Sequence, residues 1–89
     1  MLKPTYTTRF EKDLKKAQKR NKDITKLKEI LSKLTKEIKL DSKHRDHKLI
    51  GNFVARRECH ITPDWLLIYK IDNEKIVFER LGSHSDLFK

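Results

Sequence analysis

The chain reads as an α+β domain of order β-α-α-β-β-β, two helices packed on a twisted antiparallel sheet. Three observations predict this. Apolar residues recur at helical spacing through the first half of the sequence. In the second half they fall into β-rich segments separated by short turn signals. The 89 residues include only two glycines and two prolines, enough for one economical core and too few for a long linker. Residues 1–89 are therefore expected to form a single domain.

Residues 2–7 have the composition of a short strand. Thr8-Arg9-Phe10-Glu11 fits a capping box, after which Phe10, Leu14 and Ala17 share one helical face and lysines and arginines fill the others to Arg20. Asn21 or Asp23 offers a second N-cap, Asp23 being closer to the next apolar residue. From there Ile24, Leu27, Ile30, Leu31, Leu34 and Ile38 trace a stripe with period near 3.6. The polar stretch from Leu40 to Asn52 reads as a loop with room for one irregular turn. Phe53 to Ile61 is the next strand, and Pro63-Asp64 ends it. Trp65 to Ile71 is apolar on both parities, as a central strand covered on both faces requires. Asp72 to Lys75 is a turn, Ile76 to Leu81 the last strand, and Gly82-Ser83-His84 a loop before Leu87-Phe88. Three strands joined by short turns make an antiparallel meander.

Twenty-two Lys and Arg against 13 Asp and Glu give a net charge of +9. Residues 1–48 carry 16 against 7, which is the whole excess; residues 49–89 carry 6 against 6. That asymmetry points to a polyanionic partner: nucleic acid, the ribosome or an acidic protein. The competing reading is a solvated basic face with no fixed partner. A single cysteine excludes an internal disulfide framework and any zinc site needing several thiolates. No apolar run approaches the roughly 18–20 residues that span a bilayer, and the N-terminus has no signal-peptide pattern. A cytoplasmic setting, with no membrane partner, is expected.

The candidate chemistry lies in the strand half. His60 ends one predicted strand, Asp64 starts the next, and Arg80 and His84 flank the exit of the last. In a meander those positions share one end of the sheet, and His47 arrives from the preceding loop. These residue types suit cleavage of an RNA backbone. A histidine moves protons near neutral pH, a carboxylate serves as base or orients an imidazole, and an arginine fork holds non-bridging phosphate oxygens. By position, His60 and Asp64 would activate the 2′-hydroxyl and Arg80 would hold the phosphate. His84 would protonate the leaving 5′-oxygen, with His47 in support. Such a reaction implies no cofactor and no metal. Plainer readings exist: surface histidines, Asp64 as a turn residue, Arg80 paired with Glu58, and Trp65 and Phe88 as packing. Cys59 reads as a buried small hydrophobe. A metal site on His44-x-x-His47 with His60 or His84 has loose spacing and no ligand-rich helix to support it.

The segments Arg57-Glu58-Cys59-His60-Ile61-Thr62-Pro63-Asp64-Trp65 and Glu79-Arg80-Leu81-Gly82-Ser83-His84-Ser85-Asp86-Leu87-Phe88, with Asp46-His47-Lys48-Leu49-Ile50-Gly51, resemble the YafQ branch of the RelE toxin superfamily. The likeness extends over essentially the whole chain. It implies a microbial-ribonuclease-like fold and a ribosome-dependent mRNA endoribonuclease, the toxin of a bacterial type II toxin–antitoxin pair. The partners implied are an acidic antitoxin, the ribosome and its message, with operator DNA reached only through the antitoxin complex. The family's functional positions fall on His47, His60, Asp64, Trp65, Arg80, His84 and Phe88. Trp65 and Phe88 are then expected to contact RNA. Lys48 stands where family members often have proline. Lys15, Lys16 and Lys19 on the first helix are the expected electrostatic contacts to RNA. The alternatives are a non-catalytic basic RNA- or ribosome-binding module and a protein that binds an acidic peptide; each needs only the charge of residues 1–48.

Overall fold

The structure, a computed structural model, describes residues 1–49 and 55–88. Its elements are β1 (Lys3–Tyr6), α1 (Thr8–Lys19), α2 (Ile24–Thr35), a 3₁₀ turn (Ser42–His44), β2 (His47–Lys48), β3 (Arg57–Thr62), β4 (Trp65–Asp72), β5 (Lys75–Gly82) and α3 (His84–Leu87). The expected order is present, with the short β2 and α3 added. The five strands lie in the order β1-β5-β4-β3-β2.

The helices begin and end for local reasons. α1 is capped by Thr7, not Thr8: Thr7 is extended (φ −74°, ψ 160°) and its hydroxyl accepts the Phe10 N–H, whereas Thr8 is already helical. The same hydroxyl donates to the Glu79 carbonyl at 2.9 Å, joining helix and sheet. α2 starts at Asp23, whose carboxylate accepts the Lys26 N–H. Asn21 terminates α1 instead, in the left-handed region at φ 57°. The Lys22 N–H returns to Ala17 O and the Asn21 N–H to Gln18 O, the double bond of a Schellman ending. α2 ends the same way at Glu37 (φ 60°), so Ile38 leaves the apolar stripe and is exposed.

The expected all-antiparallel sheet is in fact mixed. The β2–β3–β4–β5 portion is antiparallel, but β1 joins the outer edge of β5 in parallel, Lys3 opposite Lys75 and Tyr6 opposite Phe78. The strand expected from Phe53 begins at Arg57 and runs to Thr62. Residues 53 and 54 lie outside the described residues, as do residues 50–52 of the expected loop, whose earlier part holds the 3₁₀ turn and β2. Ala55 adopts φ 69°, a conformation outside the β region.

One sheet face carries Cys59, Ile61, Leu67, Tyr69, Ile76, Phe78 and Leu81 into a core completed by Phe10, Ala17, Leu27, Ile30 and Leu34 from the helices. Strand alternation sends the remaining side chains to the opposite face. Cross-strand register arranges them in two rows there: His47, Glu58, Ile68 and Arg80, then His60, Leu66 and Gly82. Leu66 and Ile68 are nonetheless fully buried, as expected for a central strand covered on both faces.

Candidate active site

The polar residues of those rows meet at the end of the sheet where β3 turns into β4 and β5 exits into α3. Asp64, in the turn, accepts two hydrogen bonds from one residue. His84 Nδ1 donates to Asp64 Oδ1 at 2.8 Å and the His84 backbone N–H to the same oxygen at 3.1 Å. These bonds, with Lys22 nearby, hold the Asp64 carboxyl below the usual carboxylate range. They also fix the His84 tautomer, leaving Nε2 as its reactive nitrogen. Asp64 therefore partners His84 across the turn, where the sequence suggested His60.

His60 is partnered by Glu58. Glu58 is only 5% exposed. It lies between two imidazoles, its Oε1 3.3 Å from His60 Nε2 and its Oε2 3.7 Å from His47 Nε2. The other nitrogen of each ring faces a backbone carbonyl, that of Pro63 for His60 and that of Arg45 for His47. A carbonyl only accepts, so Nδ1 carries the proton in both rings and Nε2 is turned toward Glu58. The three rings are neighbours, with centroids 6.4 Å apart for His47 and His60 and 5.8 Å for His60 and His84.

Arg80 does not pair with Glu58. Its guanidinium binds Asp13 of α1 through Nε at 2.8 Å and Nη2 at 3.4 Å, and Asp13 Oδ2 also accepts the Leu81 N–H. Asp13 thus satisfies the edge of β5 beyond the end of β1, and it leaves the Nη1 donors of Arg80 outside that pair. Phe88 is part-exposed beside His84, ring centroids 6.2 Å apart. Trp65 must be corrected: it is 2% exposed and belongs to the core, so its indole has no face to offer a base. Of the lysines, Lys16 is engaged by Asp86 at 3.4 Å, while Lys15 and Lys19 are exposed on α1. Cys59 is fully buried, and burial pushes its thiol far above its ordinary range, as an inert small hydrophobe requires.

Three supports hold this cluster. Asp46 accepts from Tyr69 Oη at 2.6 Å and from Arg57 Nε at 3.1 Å, anchoring the segment that presents His47. His44 donates from Nδ1 to the His60 carbonyl at 2.6 Å, which turns it away from the loose metal pair with His47. Among the described residues no group of three or more His, Cys, Asp or Glu is arranged around a metal position. The third support is the α3 capping box, Ser83 with Asp86, and Asp86 also takes Arg20 at 3.0 Å. Gly82 makes this close approach possible: a Cβ there would lie 2.9 Å from Asp86 Cβ.

Glu58, Asp13 and Asp46 carry no site role in the sequence reading, and His44 only that of a loose metal ligand. Glu58 was legible, since it stands two residues from His60 and so shares its face. Asp13 carried no local signal, being 67 residues from Arg80.

Fold and site together define a small two-layer α+β protein that gathers acid–base side chains at one end of the sheet face turned away from its helices. The chain is a member of the YafQ family of bacterial toxins of type II toxin–antitoxin systems, whose sequence profile it matches over residues 2–89. It is 42% identical over 84 residues to the mRNA interferase toxin YafQ of Escherichia coli K12, covering 93% of this chain and 91% of that protein. The E. coli DinJ–YafQ complex contains a chain that superposes with a TM-score of 0.92 at 39% identity, over all of both chains. A metal-bound toxin from Helicobacter pylori superposes at 0.93 with 40% identity, over 99% of this chain and 100% of that one.

Proposed function

We propose that this toxin is a ribosome-dependent endoribonuclease that cleaves messenger RNA and so inhibits translation. The observation that carries the reading is the opposition of two acid–base groups, Asp64–His84 on one side and His47–Glu58–His60 on the other. The 2′-hydroxyl gives its proton to His60 or His47 at Nε2 as its oxygen attacks phosphorus, and the negative Glu58 carboxylate offsets the positive charge left on that imidazolium. His84, protonated at Nε2 and steadied by Asp64, gives a proton to the 5′-oxygen as the P–O5′ bond breaks. Arg80 meets the non-bridging oxygens with the donors that Asp13 leaves outside their pair. The products are a 2′,3′-cyclic phosphate and a 5′-hydroxyl.

This division of labour revises the role of Asp64, from base to orienter of the acid. Support for the substrate comes from the E. coli relative named an mRNA interferase. Support for an antitoxin partner comes from the DinJ–YafQ complex. The partners proposed are an acidic antitoxin, the ribosome with its message, and operator DNA through the antitoxin complex alone, all in the cytoplasm. Residues 1–89 act as a single domain. The proton transfers need no metal. The test is inducible expression with mapping of message 5′ ends and product termini, and a reconstituted cleavage assay with and without chelator. Cyclic-phosphate ends on translated messages, at a rate that chelation leaves unchanged, are expected. Ends bearing a 5′-phosphate, or loss of rate on chelation, would overturn the mechanism.

A further inference from the structure

A groove lies between α2 and the 3₁₀ turn, with Thr62 at the end of β3 and Pro63 of the following turn also in its lining. Ile30 and Ile61 form part of its lining, and Lys26, Lys33, Lys43 and His44 bring positive and polar groups to it. Two carboxylates also line it, Glu29 and Asp41, but Asp41 is committed to capping the 3₁₀ turn through the Lys43 N–H. The lysines outnumber them. Among the described residues no ion pair engages Lys26, Lys33 or Lys43. On α1, Lys16 and Arg20 are both bound to Asp86, and Lys12, Lys15 and Lys19 likewise make no ion pair among the described residues. The groove and the cluster meet at the end of β3: His44, in the groove wall, holds the His60 carbonyl, and Pro63, also in the lining, accepts from the His60 ring.

We infer that this groove receives the RNA strand flanking the scissile phosphate, its backbone phosphates lying against Lys26, Lys33 and Lys43. The inference rests on the nuclease reading of the adjoining site and names the surface that delivers substrate to it. It moves the main electrostatic contact with the message from α1, where the sequence alone had set it, to α2 and the 3₁₀ turn. A single-stranded backbone fits a shallow, cationic, partly apolar channel, because each phosphate contact releases a counterion and no base edge need be read.

The experiment is equilibrium binding of a labelled 2′-O-methyl 12-mer of mixed sequence, which cannot be cleaved, across a salt series. Wild type is compared with the groove triple variant Lys26→Gln/Lys33→Gln/Lys43→Gln and the α1 triple variant Lys12→Gln/Lys15→Gln/Lys19→Gln. All six lysines are exposed, and the two variants lose equal charge. The groove triple is expected to weaken binding by about tenfold or more near 0.1 M salt and to flatten the salt slope by about 2, three phosphates at roughly 0.7 each. The α1 triple is expected to change both far less. Equal losses in the two triples, or none in the groove triple, would overturn the inference. So would a groove triple that loses affinity for poly-glutamate while keeping the oligonucleotide, which would make the groove an acidic-peptide site. Wild type that binds the oligonucleotide through the groove yet leaves translated messages intact would instead overturn the nuclease reading.

Discussion

Asp64 reaches His84 with both of its hydrogen bonds, ring and backbone, and this makes the two residues one unit. A unit responds to mutation non-additively. His84→Ala is expected to lower the single-turnover cleavage rate by at least about a hundredfold, the ordinary reach of a general acid. Asp64→Asn should lower it less, and the double variant should be no slower than His84→Ala alone. Losses that multiply would mean that Asp64 acts on a different atom. At this scale the sequence identified the right residue types but not their partners. Alternation along a strand reveals which residues share a face, so Glu58 beside His60 was within reach of sequence reasoning. The pairing of Arg80 with Asp13 depends on where α1 crosses the edge of β5, a tertiary fact with no local trace.

Elements are fixed to one another by caps that serve twice. The Thr7 hydroxyl both caps α1 and donates to Glu79 of β5. Thr7→Ala should therefore cost about 1–2 kcal/mol, an N-cap and a further hydrogen bond, whereas Thr8→Ala should stay within about 0.5 kcal/mol. Urea midpoints compare the two directly, and an equal loss would return the cap to Thr8. α3 is held by Asp86, whose carboxyl is kept well below the usual range, first by the Ser83 backbone N–H and then by the Ser83 hydroxyl, Arg20 and Lys16. A carboxyl depressed on folding stabilises the fold above its unfolded value, about 3.9, and that contribution is lost as pH falls through the folded value. The sole tryptophan, Trp65, lines the same small cavity as Asp86, Lys16 and Arg20, so its emission reports the docking of α3. Wild-type emission should hold from neutral pH to about 4 and change below it. Asp86→Asn should be altered already at neutral pH and lack that acid step, and identical acid profiles would refute the role of Asp86. The helices were legible because caps and period-3.6 stripes are local signals. β2 was not, since two residues give no alternation to read; α3, which reads as a loop, carries a local signal in the capping box Ser83-x-x-Asp86.

For the whole molecule, the imbalance of +9 in residues 1–48 against zero in the remainder sets how partners approach. Steering by such a field acts mainly on association and is screened by salt. The association rate of an acidic antitoxin should thus fall by about tenfold or more between 0.05 and 0.5 M salt, with dissociation changing much less. Stopped-flow mixing resolves the two, and a salt-insensitive association rate would remove electrostatics from partner choice. The architecture was legible in outline because length, charge and strand spacing admit few solutions. The direction of β1 was not, since a four-residue edge strand with all its residues exposed pairs in parallel or antiparallel on equal evidence from sequence.

The parallel pairing of β1 with β5 also orders events in time. Lys3–Tyr6 leaves the translating ribosome early, but its hydrogen-bonding partner, Lys75–Gly82, emerges some seventy residues later. Until then the first strand has no neighbour, the edge that Asp13 completes does not exist, and His84 has no strand to carry it to Asp64. Until β5 has been made, the cluster cannot assemble. Closure of this non-local contact is slow by the measure of sequence separation.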